Sequence, residues 1–296
     1  MRALRLHPPG GLDALMVEDV ATPQPRPGEA LVRVRAAAIT RDELEWPSDR
    51  LPAIPSYELS GVVEAVAPGV DGVAPGDDVY ALTPFDRDGA AAEYVAVPAD
   101  LLAPRPRTLD DVESAAVPLA ALSAWQGLFD HGGLEAGQRV LIHGAAGGVG
   151  HLATQLAHGR GAYVIATTSA AGADRARELG ADEVLDKDRF DHDLAPVDLV
   201  FDTAGGEPLA RSPAVVRDGG RLVSVAEEPP ADARIETVYF VVEPDRERLV
   251  ELARLIDEGR LRPAIDSVFA PSDARAAFER SLAPGKRGKV VLRIDE

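Results

Sequence analysis

An apolar strand that runs directly into a glycine turn and then into an amphipathic helix restricts the fold of this chain more than any other segment. The stretch RVLIHGAAGGVGHLATQLAHGRG begins at Arg139, meets its first glycine at Gly144, and has further glycines at 147, 148 and 150. Behind them Val149, Leu152, Ala153, Leu156 and Ala157 recur at i, i+3, i+4, i+7 and i+8, which is one apolar helix face. Missing side chains let backbone approach a pyrophosphate, and the N–H groups and positive dipole end of the helix favour its charge. The glycine spacing alone would suit an ordinary strand-to-helix turn. With the strand before it, the helix after it and a second strand, AYVIATT, it points to a dinucleotide-binding unit.

The second strand ends in Thr167, Thr168 and Ser169, where an NAD-binding fold usually places a carboxylate for the ribose 2′-hydroxyl. No carboxylate occurs before Asp174. Small hydroxyls leave room for a 2′-phosphate, and Arg175 or Lys187 could pair with it. NADP is therefore favoured over NAD. Arg175 reads equally as an exposed helix arginine, and Lys187 as a solvated charge after the third strand.

From Ala3 to about Asp100, short Val, Ile and Leu runs are punctuated by Pro and Gly, as in EALVRVRAAAI, LSGVVEAVAPGV, GDDVYAL and AEYVAVP. That texture predicts an antiparallel, barrel-like β domain. From about Ser114, strand-like and helical patterns alternate, which predicts a parallel, doubly wound sheet. After Pro244, Leu249, Leu252, Ala253 and Ile256 share one face of a helix that stops near Gly259, a pattern of core packing. A helix from about Ser272 to Leu282 and a last strand, GKVVLRI, follow; that strand can return to the first domain. A length of 296 residues suits two domains. We place them at 1–113, completed by 264–296, and at 114–263.

Composition removes whole classes of function. With no cysteine, the chain has no disulfide, thiolate nucleophile or thiolate-bound metal. A net charge of −18 with no basic patch opposes nucleic-acid binding. No stretch approaches the roughly 18 apolar residues of a spanning helix. The amino terminus lacks a secretory apolar region and is read as the mature start of a cytoplasmic chain. Of 31 basic residues only Lys187, Lys286 and Lys289 are lysine, which fits a coding bias toward arginine. No two of the six histidines are three or four apart. His151 and His158 are expected to flank the polar edge of their helix, and His143 to be a hydrogen-bonded core residue.

With these motifs, PAIPSYELSGVVEAVAPGV, GDDVYAL, AAVPLAALSAWQGL, GAAGGVG, RELGADEVLD, DLVFDTAGG, DGGRLVSV and GKVVL, the chain resembles the medium-chain dehydrogenase/reductase superfamily. Within it the resemblance is to the zinc-free quinone oxidoreductase, zeta-crystallin-like branch, along essentially the whole length. It implies an α/β protein with a GroES-like β-barrel-type domain from both chain ends, a Rossmann domain between, and an active site in the interdomain cleft. Where zinc-dependent relatives carry ligands, this chain reads Ile39-Thr40-Arg41-Asp42 and Ser56-Tyr57-Glu58, so no metal site is expected. The segment from Thr40 to Pro55 is shorter than usual, and Trp46 is placed at the altered pocket rim.

The resemblance implies NADPH-dependent hydride transfer to a quinone or an α,β-unsaturated carbonyl, with a biosynthetic enoyl reductase as the nearest variant. The alternative is a non-catalytic NADPH-binding sensor or structural member of the same fold. Thr40 is expected to donate a hydrogen bond to the substrate carbonyl, and Tyr57 to act as a donor or stacking wall, or both pack between domains. A proton can come from water. The expected cofactor contacts are Ser123, Ala146, Gly147, Gly148, Val149, Thr168, Ser169, Arg175, Lys187, Ala204, Val225, Ala226, Phe240, Val241 and Val242. Ser123 could equally cap a helix, and Phe240, Val241 and Val242, read as ending the sixth strand, could be sheet core. The resemblance also implies a homodimer: in such proteins the sixth strand lies at the sheet edge, and TVYFVV there would offer an apolar edge that pairing with its symmetry mate covers.

Overall fold

Runs of β-branched and small residues in the first hundred positions pack on pleated surfaces, and the computed structural model, which describes residues 1–46, 49–192 and 194–294, shows them as strands. The strands are β1 (Arg2–Leu6), β2 (Leu15–Asp19), β3 (Glu29–Ile39), β4 (Glu58–Val66), β5 (Asp78–Leu82), β6 (Tyr94–Pro98) and β7 (Ala103–Pro104). Then come β8 (Arg139–His143), β9 (Tyr163–Thr168), β10 (Glu183–Asp186), β11 (Val197–Asp202), β12 (Val216–Ser224), β13 (Glu236–Tyr239), β14 (Ile265–Phe269) and β15 (Lys289–Arg293). The chain divides into two compact units, 1–119 with 243–259 and 263–296, and 120–242 with 260–262.

In the first unit one sheet runs β14-β15-β3-β4-β5-β7, and β6 also pairs with β3. The eleven residues of β3 serve three partners, β6 along Glu29–Arg33, β15 along Ala36–Ile39 and β4 along most of its length, and its register with β4 slips between Leu31 and Val32 and between Val34 and Ala36. Such irregularities bend a strand and coil the sheet around its own core. Val32, Val34, Leu59, Val63, Val79 and Val97 fill one cluster; Leu4, Ile39, Phe278, Val290 and Leu292 fill another. The last strand returns as expected, β15 lying antiparallel to β3 with Val290 opposite Ile39. The helix Arg246–Asp257 begins at Asp245, whose carboxylate accepts from the Arg248 N–H at 2.8 Å, and buries Leu249, Leu252, Ala253 and Ile256. These are the four residues that periodicity placed on one face. The helix ending at Leu282 starts at Ala274 rather than Ser272, because Pro271–Asp273 form a tighter turn.

In the second unit six parallel strands run β10-β9-β8-β11-β12-β13, so chain order within the unit is 3-2-1-4-5-6. This is the doubly wound order in which ligands sit beyond the carboxyl ends of the strands. Leu141, Ile165, Phe190, Val200, Leu209 and Leu222 lie in the core. The edge strand β13 is shorter than expected. Its last pair is Tyr239 with Ser224, where β12 ends, so Phe240, Val241 and Val242 lie beyond the ladder rather than in it. Phe240 and Val242 are buried, whereas Val241 is 61% exposed. Among the described residues no helix is long and apolar enough to cross a membrane.

Candidate functional site

Register alone draws the expected cofactor residues to one edge of the parallel sheet. Thr167, His143, Asp202, Ser224 and Tyr239 stand side by side across β9, β8, β11, β12 and β13. Immediately beyond this row lie the glycine loop, Thr168-Ser169, Ala204, Val225-Ala226 and Phe240 to Val242.

The loop turns at Gly144, with φ +71°, and the Gly147 N–H donates to the Gly144 carbonyl at 2.8 Å. No side chain caps the helix Gly150–Gly159, so its leading N–H groups are not taken by a capping hydroxyl or carboxylate. Leu152, Ala153, Leu156 and Ala157 are buried as the periodicity required, while Val149 is half-buried at the turn. His151 departs from expectation. It is 1% exposed, and its Nδ1 meets the Gly147 carbonyl oxygen at 2.9 Å, so it braces the loop instead of edging the helix. His158 is exposed as expected. Ser123 is also not a cap, since it lies inside the helix Pro118–Trp125 and is buried.

A β-carbon added at Gly172 would come 2.2 Å from Thr168 Oγ1 and 3.2 Å from Ala146 Cβ, which shows how closely the loop and the end of β9 approach. Asp186 is in register with Thr168, so Lys187 follows directly beside that end. Lys187 Nζ donates to Asp188 at 2.8 Å, the exposed Asp186 carboxylate accepts from the Asp188 N–H at 2.8 Å, and Arg175 donates to Glu178 at 3.1 Å. Asp202, fully buried, accepts from the Ala204 and Gly205 N–H groups and from the Ser224 hydroxyl. Burial pushes its carboxyl above the ordinary range, and these donors oppose that shift. It ties the Ala204 loop to the end of β12, a role the sequence reading did not assign.

His143 is a core residue as expected. Its ring nitrogens lie 2.8 Å from Thr167 Oγ1 and 2.8 Å from Ser212 Oγ. Because Ser212 Oγ already donates to the Pro208 carbonyl at 2.7 Å, Nε2 carries the proton and Nδ1 accepts from Thr167. Burial drives the imidazole pKa down to about 4, so it is neutral near pH 7.

In the first unit, Tyr57 is fully buried and its ring packs 5.7 Å from Trp46 and 5.2 Å from Phe85. Its hydroxyl accepts from Arg50 at 2.8 Å, and Arg50 also donates to the Phe85 carbonyl. Trp46, 38% exposed, forms the outer part of this aromatic group.

Thr40 stands beside a buried polar cluster absent from the sequence reading. The pairs Glu58 with Ala38 and Val290 with Ile39 bring the end of β3, the start of β4 and the start of β15 together. There Lys289 Nζ lies 2.5 Å from Glu58 Oε1 and donates to Thr40 Oγ1 at 3.2 Å, with side-chain exposures of only 3% for Lys289 and 1% for Glu58. Glu58 Oε2 accepts from the Leu119 N–H. Glu43, also fully buried, accepts from the Thr40 and Ser56 N–H groups. Burial lifts its carboxyl to about 8, leaving it largely protonated near neutral pH. Lys286 is half-buried, and desolvation followed by the Lys289 charge lowers its pKa to about 8. The one sequence signal was compositional: two of three lysines fall within four residues of each other.

Among the described residues no three or more His, Asp or Glu side chains gather as a metal site would require. The chain matches two families: residues 26–107 that described as Alcohol dehydrogenase GroES-like domain, and residues 179–292 that described as Zinc-binding dehydrogenase. The 2-methylene-furan-3-one reductase of Solanum lycopersicum is 34% identical over 96% of this chain and 76% of its own. The NADPH-dependent alkenal/one oxidoreductase of Arabidopsis thaliana is 32% identical over 96% of this chain and 77% of its own. The solved quinone oxidoreductase from Coxiella burnetii superposes with a TM-score of 0.92, at 29% identity, over 100% of this chain and 99% of its own. The chain therefore belongs to the medium-chain dehydrogenase/reductase superfamily, in its quinone oxidoreductase branch.

Proposed function

We propose that this protein is an NADPH-dependent, zinc-independent reductase of quinones or α,β-unsaturated carbonyls. The observation that carries the reading is the carboxyl edge of the parallel sheet, where an uncapped helix start, the glycine loop and the small side chains of Ala146, Thr168 and Gly172 converge. Such a cradle suits a pyrophosphate at the loop and a phosphorylated ribose at the Thr168-Ser169 end, within reach of Lys187 or Arg175. The names of the reductases to which the chain is similar support the substrate class, and the absence of cysteine supports chemistry without zinc. In this reading 114–263 binds the cofactor, 1–113 with 264–296 binds the substrate, and two copies pair through the exposed edge of β13.

When bound, the reduced nicotinamide supplies the hydride. The chain's own residues do the rest. Ser123, Ala204, Val225, Ala226 and the segment from Phe240 to Val242 orient the dinucleotide, Thr40 donates a hydrogen bond to the substrate carbonyl oxygen, and Tyr57 forms an aromatic wall with Trp46 and Phe85. Hydrogen bonding to the oxygen where charge develops is the principal electrostatic contribution open to the protein.

The test is direct. Purified protein is mixed with NADPH or NADH and a panel of quinones and enones while the absorbance of the reduced nicotinamide is followed. Consumption with NADPH, faster than with NADH, is expected. Tight NADPH binding without consumption across the panel would instead assign the protein to non-catalytic sensing or structural roles.

A further inference from the structure

Arginine supplies 28 of the chain's 31 basic residues, yet the most deeply buried cation beside Thr40 is a lysine. The difference matters chemically. An arginine would hold Glu58 through a planar fork and keep its proton, whereas a lysine ammonium is a compact donor with a proton to pass on.

Lys289 Nζ forms an ion pair with Glu58 Oε1 at 2.5 Å and directs an N–H toward Thr40 Oγ1 at 3.2 Å. An ammonium only donates, so the Thr40 oxygen is the acceptor in that bond and its own hydrogen remains to be placed. Among the described residues Thr40 Oγ1 donates to no acceptor. Thr40 is half-buried, so this hydrogen is available to a bound molecule. A charged donor on the oxygen also polarises the remaining O–H and strengthens it as a donor. Glu43, neutral by burial, leaves Glu58 as the counter-charge of Lys289, which keeps the cluster a balanced pair.

We propose that Lys289 is a positioning residue and proton source for the reduction: it fixes the Thr40 hydroxyl as donor to the substrate carbonyl oxygen and refills that hydroxyl as its proton leaves. This rests on the reductase reading above. The β-carbon of an enone takes the hydride that a reduced nicotinamide supplies, the nicotinamide is left oxidised, and the C=C electron pair moves to form an enolate. The enolate oxygen takes the Thr40 hydroxyl proton while Thr40 takes one from Lys289 Nζ. Neutral Lys289 then regains a proton from water, and the enol tautomerises to the saturated ketone.

Lys289→Arg keeps the positive charge but does not release a proton in the working range. It is expected to leave KM and the NADPH Kd within threefold, lower kcat at least tenfold, and raise the solvent deuterium isotope effect on kcat as proton delivery becomes limiting. A kcat within threefold and an unchanged isotope effect would overturn the proposal. Should Lys289→Arg fail to fold, the double variant Lys289→Met with Glu58→Gln removes both charges together; the same loss of kcat is expected, and full kcat would again overturn it. A readout independent of turnover uses protein labelled with ¹³Cε-lysine, whose three lysines give three signals. Thr40→Val should shift the Lys289 signal and leave that of Lys187 in place, and an unmoved Lys289 signal overturns the contact. Wild-type protein that consumes no reduced cofactor with any enone or quinone overturns the reductase reading and this proposal together, whereas active wild type with unimpaired Lys289→Arg overturns the proposal alone.

Discussion

A β-carbon on Gly150 would lie 2.1 Å from the carbonyl oxygen of Gly144, so the first residue of the helix sits directly on the backbone of the turn that precedes it. The neighbouring atoms in that contact, Gly144 C and Ala145 Cα, are also backbone, so no side chain can rotate away. Alanine normally favours a helix over glycine by roughly 1 kcal/mol. At Gly150 the sign is expected to reverse: Gly150→Ala lowers the melting temperature and weakens NADPH more than tenfold as the loop is displaced. Gly159→Ala, at the far end of the same helix with nothing within 4 Å of the new atom, is the control and should be neutral or stabilising by up to about 1 kcal/mol. Equal behaviour of the two variants in thermal melts and cofactor titration would count against the close packing of the loop.

Short-range periodicity reveals some of this molecule and not the rest. The buried face of the helix Arg246–Asp257 and the strand, turn and helix from Arg139 to Gly159 follow from residues close together in the chain. His151 did not, because its bond to the Gly147 carbonyl overrides the helical stripe that would leave it at a polar edge. Phe240 looked like strand, yet pairing stops where its neighbour β12 stops, a property of the partner and not of TVYFVV. Nothing in the sequence near Glu43, Glu58 or Lys289 marks them as neighbours. Only the register of β3 with β4 and β15 brings them together, across some 240 positions of chain.

The neutral, buried His143 makes stability depend on pH. Its folded pKa, about 4, lies below the unfolded value of 6.5, so the unfolded chain binds the proton more tightly. The stabilising contribution is present above pH 6.5 and is lost as pH falls toward 4. Between pH 7 and pH 5 the wild type should lose about 2 kcal/mol through this residue. His143→Asn should be less stable at pH 7 but lack that part of the slope. Parallel urea-unfolding slopes for the two proteins would show that His143 titrates normally.

Removing metal should change nothing. Cysteine is absent, and the positions that would face a zinc ion read Thr40 and Ser56-Tyr57-Glu58, with Glu58 already paired to Lys289. Zinc prefers nitrogen and sulfur ligands, typically three from the protein at a catalytic site. Prolonged chelation is therefore expected to leave both turnover and melting temperature unaltered, and elemental analysis to find no stoichiometric zinc. Activity lost on chelation and restored by zinc would overturn the assignment.

Lys187 is expected to decide how NADPH is told from NADH. It follows Asp186, the register partner of Thr168, and its ammonium is half-exposed on Asp188. Exchanging that exposed pair for a 2′-phosphate costs little, since surface ion pairs contribute about 0–1 kcal/mol. A charge-assisted contact to the phosphate contributes roughly 1.5–3 kcal/mol, so Lys187→Ala should weaken NADPH about 10- to 150-fold and leave NADH nearly unchanged. Were Lys187 only a solvated charge, both cofactors would lose less than about threefold. Salt separates the two cases, because a long-range attraction fades beyond the roughly 8–10 Å Debye length while a direct contact persists. A selective loss in Arg175→Ala instead would move the phosphate to the neighbouring helix, where Arg175 now holds Glu178. If neither single variant discriminates, the double variant is decisive, because two cations sharing one phosphate need not act additively. Equal affinities of that double variant and the wild type for NADPH would refute the 2′-phosphate site.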